Sequence, residues 1–402
     1  MTGAHRGQAR TSRGRFHSTP QTAVGTEQSP IFRPGGLARV CTWPRPRLPI
    51  RWPAVRVEVV EPDGAWDAFV AGCAGAHLAH AGAWAHVLRD AYGLRAFYLA
   101  CRADDGTLAG VLPLVELRAL KGRRELVSVP FHDVAGVLAR EEAAEAALVD
   151  EALRLARARG CAALELRQQR PLTGRPPAGN DPESARVNLV LPLQANPEAQ
   201  WKALGPKVRN QVRKAEKERL ALAAWSGPEL LDGFYACFAQ NMRDLGSPVH
   251  ARGLFAEAAR RFGERLRFVV AADGARPVGG LVAIDYAGAV TVTWASTLRA
   301  ERARCPNHLI YWEAIRWAIE RGAARFDFGR SPVGGGTYHF KRGWGAQEEP
   351  LAWTRLAPSG APLPVSAPSA DPVLARLAAL WRRLPLALTV RLGPPLRRHL
   401  AS

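Results

Sequence analysis

The sequence predicts an α/β (α+β) protein in which one unit is used twice, each copy with a mixed central sheet. Three observations lead to that class. A strand–turn–strand pattern recurs, a helix follows each recurrence, and a glycine ends each helix where a new strand begins.

In the first copy, residues 94–101 read as a strand, Asp104-Asp105-Gly106 as a turn and 108–117 as a second strand. In the second, 266–272 and 277–286 flank the turn Asp273-Gly274. A third strand follows in each, near 125–130 and 290–296, and then a helix, near 141–159 and 307–321. Gly160 and Gly322 stop those helices, and the next strands place Glu165 opposite Asp327. This is the core order of the GNAT acyltransferase fold. The chain therefore reads as tandem GNAT-like domains, 57–195 and 196–356.

Between the copies, 197–219 reads as a basic helical region and 227–246 as an amphipathic helix ended by Gly246. Residues 357–402 read as a Pro/Ala-rich linker and a basic, amphipathic helical tail. That tail could pack on the body or lie on an anionic membrane.

The net charge of +19 sits mostly at the ends. Residues 1–56 hold ten Arg and one Glu, and residues 355–402 hold seven Arg and one Asp, leaving +4 between them. The high pI is thus no argument for a nucleic-acid-binding core. Residues 1–56 lack periodicity and are expected to be a disordered basic extension. No apolar run is long enough to span a bilayer. The six cysteines contain no CxxC pair, so no metal is expected and a reducing cytoplasm is the simplest compartment.

The most informative stretch is 325–351, RFDFGRSPVGGGTYHFKRGWGAQEEPL. A strand carrying Asp327 runs into three glycines, and an aromatic, cationic segment follows. Such strand ends are where α/β proteins place ligands.

Together with KVRNQVRKAEKERL (207–220), FYACFAQNMRDLGSPVH (234–250) and PNHLIYWEAIRWA (306–318), this stretch resembles the FemAB-related proteins. The nearest branch is the one associated with PEP-CTERM/exosortase exopolysaccharide systems. GVLPLVEL (110–117), LVSVPFHDVAGVLA (126–139) and LELR (164–167) add weaker matches. The resemblance implies a tandem GNAT-like fold and a Fem-type acyl or aminoacyl transfer making an amide on an envelope or polysaccharide precursor. No permanently bound cofactor is implied, and the acyl donor stays open between aminoacyl-tRNA and acyl-CoA. A CoA-binding GNAT needs a glycine-rich pyrophosphate loop after its third core strand and before its helix. LRAERARCPNHL (298–309) has no glycine, and Asn307 can cap the helix there. The first copy's FHDVAGVLAREEA (131–143) lacks the loop too and reads as degenerate. A noncatalytic binding module and a CoA-dependent N-acetyltransferase remain alternatives. The expected place is the cytoplasm, at most peripheral at the inner face of the membrane.

Acyl transfer to an amine needs a neutral nucleophile, a stabilised oxyanion and fixed geometry. Lys341, in the F-K motif, is the candidate for the oxyanion. Asp327 is a candidate base, or else a structural partner of Arg330 or Arg325. Arg209, Arg213, Lys214 and Arg243 are candidates for phosphate contacts, though Arg243 could instead pair with Asp244. Asn241, Tyr311, Arg330, Tyr338 and His339 complete the expected substrate contacts.

Overall fold

The computed structural model describes residues 55–119, 122–175, 186–364 and 372–400. The extension expected to be disordered lies outside these residues, apart from its last two.

The chain opens with β1 (Arg56–Val60). The Asp63 carboxylate then caps α1 (Gly64–Ala71) by accepting from the amides of Ala65 and Trp66. A 3-10 turn at Leu78–His80 precedes α2 (Ala83–Tyr92), which ends at Gly93 in the left-handed region. The hairpin β2 (Arg95–Arg102) and β3 (Leu108–Arg118) follows, then β4 (Arg124–Val127) and the short β5 (Leu138–Ala139). Next come α3 (Glu142–Ala158), β6 (Ala163–Gln168) and β7 (Arg186–Pro192).

The basic helical region is two helices, α4 (Pro197–Ala203) and α5 (Pro206–Lys217). Proline at 206 has no amide to continue α4, but suits the first turn of α5. After β8 (Ala221–Trp225) come α6 (Pro228–Leu245) and α7 (Arg252–Phe262). The strands β9 (Leu266–Asp273), β10 (Arg276–Tyr286) and β11 (Ala289–Thr297) lead to α8 (Pro306–Glu320) and β12 (Arg325–Pro332). The glycine run then starts a short helix, α9 (Gly336–Gly343), followed by β13 (Gln347–Glu349) and β14 (Ala352–Leu356).

Two mixed sheets result. The first runs β1-β2-β3-β4-β6-β14, with β5 on β3; the second runs β13-β7-β12-β11-β10-β9-β8. The tandem GNAT-like order is present, but the boundary expected at 195/196 is crossed in both directions. β7 of the first half lies between β12 and β13, and β14 of the second half lies against β6. The physical reason is edge satisfaction. A strand that follows the helix of its unit has one open side of N–H and C=O groups, and the last strand of the opposite half pairs with it.

Packing joins the halves as well. α2 lies on α7, where the Trp84 ring is 5.3 Å from Phe262 and 6.4 Å from Trp294. These residues belong to a core continuous with Trp66, Val87, Phe234 and Phe268. Each such side chain contributes roughly 1.5–3 kcal/mol on burial. On the outer faces, α5 and α8 cover the second sheet and α3 covers the first.

The tail forms α10 (Pro372–Trp381) and α11 (Leu386–Arg397). α11 packs on α6 and the chain after it. Gly393 lies so near Val249 that a Cβ would stand 2.8 Å from the Val249 amide nitrogen. Likewise, a Cβ on Gly246 would stand 2.6 Å from the Ala378 carbonyl of α10. The half-buried Arg397 lies over the Phe131 ring at 5.5 Å and donates to His250 Nε2 at 3.1 Å. No helix among the described residues is long and apolar enough to cross a membrane.

Candidate functional site

β11 and β12 run parallel and pair at only three positions, Ala289–Thr291 with Arg325–Asp327, although both strands continue. The two strands part after Asp327. On its other side β12 loses register with β7 between Asp327 and Arg330. Gly329, with φ 74°, sits in that irregularity, where a Cβ would be strained. The break turns the Asp327 carboxylate into a cleft of about 40 Å³ between the halves. The second half lines it with Asn188, residues 291–293, Asp327 and Gly329, and the first half with residues 77–79 and 131–134. A larger cavity, about 290 Å³, lies on the first half between β1, β2 and α2. It has no strand break, so the smaller cleft is the candidate site.

The Asp327 carboxylate is buried. Its Oδ1 accepts from the Gly329 amide at 2.7 Å, and its Oδ2 lies 4.0 Å from His77 Nδ1. His77 Nε2 lies 3.1 Å from Gln169 Oε1. Gln169 donates its amide to Glu349 Oε2 at 2.6 Å, and Arg325 holds Glu349 at 3.0 Å. A carboxylate only accepts, so the Gln169 amide hydrogens point to Glu349 and its oxygen points to His77. His77 therefore carries its proton on Nε2 when neutral. Nδ1, facing Asp327, is the basic atom.

Asn188 stands on β7 opposite Arg330 and Glu349. It is buried, and neither its Nδ2 nor its Oδ1 has a hydrogen-bond partner. Leaving a buried amide unsatisfied costs about 1–3 kcal/mol, a sign of a group kept for a ligand.

Charged side chains form the floor. Arg330 Nε lies 2.8 Å from Asp133 Oδ1, and the Arg330 amide donates to Asp133 Oδ2 at 3.1 Å. Burial alone would raise the Asp133 carboxyl, but Arg330, with Arg167 and Lys341, holds it below its ordinary value. The guanidiniums of Arg167 and Arg330 stack on Trp353 at 4.4 and 4.9 Å. Trp353 is delivered by the exchanged strand β14 and donates to the Asp133 carbonyl at 3.0 Å. His132, buried against Trp84, is pushed down to about 3 by burial and stays neutral.

The sequence brings only part of the expected site together. Asp327 lines the cleft, and its alternative partners are engaged elsewhere, Arg330 with Asp133 and Arg325 with Glu349. Lys341 is buried, but its Nζ donates to the carbonyls of Gly329 and Arg330, each at 2.9 Å. It clamps the strand break, its ammonium directed at the backbone, where an oxyanion contact was expected. Burial pulls its pKa down to about 8, against the pull of Asp133 and Asp327. Tyr338 bonds Glu348 at 2.6 Å, and His339 is exposed, because α9 turns both away from the cleft. Tyr311 is a core residue, stacked on Phe328 at 5.4 Å. Arg243 pairs with Asp244 at 2.9 Å, and Asn241 donates to Ser296 Oγ at 3.0 Å. Arg209, Arg213 and Lys214 lie along α5; Arg213 stacks on Trp201 at 5.6 Å and Lys214 is exposed.

His77, Asn188 and Asp133 were not foreseen. Asn188 is the single polar residue in the apolar run 187–193, a signal that was available. Asp133 sits in the segment read as degenerate.

The segment before α8 does not fit a pyrophosphate. Pro306 at the first helical position offers no amide, and the buried Glu301 carboxylate occupies the preceding turn, tied to Arg276 and Arg304. Asn307 is inside the helix rather than capping it; its side chain accepts from Thr297 Oγ1, and Cys305 takes the cap position. Among the described residues, no group of three or more His, Cys, Asp or Glu is placed to hold a metal ion.

These features define a mixed α/β protein with tandem GNAT-like halves. Residues 206–342 match the family model described as an acetyltransferase (GNAT) domain. No curated protein matches the chain. Among solved structures it is similar to one described as FemX, at 15% identity and a TM-score of 0.58, over 73% of this chain and 95% of that one. It is also similar to a tandem GNAT protein from the clavulanic acid biosynthesis pathway, at 14% identity and 0.48, over 76% and 99%. A third, L-PGS from Bacillus licheniformis, gives 13% and 0.48, over 81% and 98%.

Proposed function

We propose that the protein is a Fem-type transferase, moving an aminoacyl group from an aminoacyl-tRNA ester to an amine of an envelope or polysaccharide precursor. One observation carries this reading. A buried carboxylate, Asp327, faces the basic Nδ1 of His77 in the cleft that Asn188 lines with an unpartnered amide. The acceptor amine attacks the ester carbonyl and forms the C–N bond. His77 Nδ1 takes the amine proton, and Asp327 steadies the imidazolium. The Asn188 amide donates to the oxyanion. The C–O bond then breaks, and the leaving ribose oxygen receives the proton from His77. An ester donor is favoured because the start of α8 is unsuited to a pyrophosphate. The exposed basic face of α5, with Arg213, Lys214 and Lys217, suits a polyanionic donor. The exopolysaccharide setting rests on the sequence resemblance alone.

The test is label transfer from a mixed pool of radiolabelled aminoacyl-tRNA to a nucleotide-linked amino-sugar or peptide acceptor, with acetyl-CoA in a parallel arm. A hydroxylamine-resistant labelled product from tRNA, lost in His77→Ala, is expected. Transfer from acetyl-CoA alone would move the reading to N-acetylation. Transfer from neither donor by folded protein, across a panel of amine acceptors, would leave a binding module.

A further inference from the structure

We propose that α10 and α11 form a docking surface for an anionic lipid bilayer, so that the protein is held at a membrane peripherally. The proposal stands apart from the chemistry of the cleft.

The first observation is an apolar face that none of the described residues covers. On α10, Leu374, Leu377 and Leu380 recur at a spacing of three and are exposed, Leu377 by 55% and Leu380 by 59%. On α11, Leu388, Leu392 and Leu396 form a row with a period of four, also exposed. α11 turns its other side, Leu386, Thr389, Val390 and Gly393, to the body, and α10 meets the body beside its leucine row, through Ala378 at Gly246. These leucines are therefore not the docking side of the tail.

The second observation is charge. Residues 372–400 contain no Asp or Glu. Arg376, Arg382, Arg383, Arg391 and Arg398 are exposed, and among the described residues none of them has an acidic partner. Exposed leucines flanked by uncompensated arginines match an acyl–headgroup boundary carrying negative charge. A second copy fits less well, because a symmetric pairing of this face would set the arginines against their own kind. A helix pair too short to span can only lie in the interface.

The test is flotation of the full chain with vesicles of phosphatidylcholine alone, or with about one-third phosphatidylglycerol. Binding to the mixed vesicles, weakening as salt rises, is expected. A variant with Arg376, Arg382, Arg383 and Arg391 all changed to Gln should partition roughly 100-fold or more weakly. Leu377→Ser with Leu380→Ser, on the exposed face, should weaken binding even at low salt, with an unchanged thermal melt. The arginine-rich first 56 residues are identical in every arm, so binding that survives both tail variants overturns the proposal. So does equal binding to neutral vesicles, or no binding to either. A dimer in sedimentation that Leu377→Ser and Leu380→Ser abolish, without any vesicle binding, assigns the face to a second copy instead.

Discussion

Glu165 and Asp327 occupy the same place in the two sheets. Each is the third and last residue of a short parallel pairing, Glu165 opposite Val127 and Asp327 opposite Thr291. Each faces an exchanged strand on its other side, at Arg355 and Val190. Their surroundings separate them. Glu165 is bound by Arg167 at 2.9 Å, whereas Asp327 accepts from the Gly329 amide at 2.7 Å and faces His77 at 4.0 Å. One copy ties its carboxylate to a neighbouring arginine, and the other leaves its carboxylate facing the cleft.

Asp327→Asn preserves the acceptor for the Gly329 amide and removes the charge beside His77. Turnover should fall by about 100-fold or more, with little change in melting temperature. His77→Ala should behave similarly, and the double variant should lose scarcely more than either alone. Additive losses would show that the two residues do not act as a unit.

Asn188→Leu removes a buried amide that has no partner. Stability should stay level or rise by about 1–2 kcal/mol in urea unfolding, while transfer activity drops. A clear loss of stability would mean that the amide is satisfied within the folded protein.

Lys341→Met strips the donor from the carbonyls of Gly329 and Arg330, so both stability and activity should suffer. The pH dependence is distinctive. The folded pKa, about 8, lies below the ordinary 10.5. Between those values the unfolded chain holds a proton that the folded chain has released, so this group makes stability rise with pH across that window. The contribution is on the order of 3 kcal/mol in total, and it should be absent from the variant. Identical pH–stability curves for the two proteins between pH 8 and 10.5 would sink this assignment.

A fragment ending at residue 195 keeps β6 without β14 and β7 without β12. It should be insoluble or lack a cooperative melt. Folded, monomeric behaviour would show the exchange to be dispensable.

The two-copy order was legible because local signals carry it: turn glycines, helix-ending glycines and period-two strands. Helix α8, expected at 307–321, lies at Pro306–Glu320. The exchange of β7 and β14 was not legible, since an edge strand carries no mark of which sheet receives it. Asp327 stood out because it precedes a glycine break, and it lines the cleft. His77 was hidden, because its partners Gln169 and Asp327 lie 92 and 250 residues away. Lys341 lies beside the cleft, but its ammonium is turned to the carbonyls of Gly329 and Arg330. Sequence gives the residue type, but only packing decides whether an ammonium meets a substrate or the backbone carbonyls of its own chain.

The crossing of β14 also bears on how the protein is made. β6 ends at Gln168 and its partner strand ends at Leu356, 188 residues later in synthesis (356 − 168). At ordinary elongation rates that is roughly 10–40 s during which a nascent first sheet waits with an unpaired, apolar edge. Such an edge invites pairing with a neighbouring chain on the same message. A ribosome-associated holdase, or slow folding that keeps the first half loose until the C-terminus emerges, is the cost that this topology places on the cell.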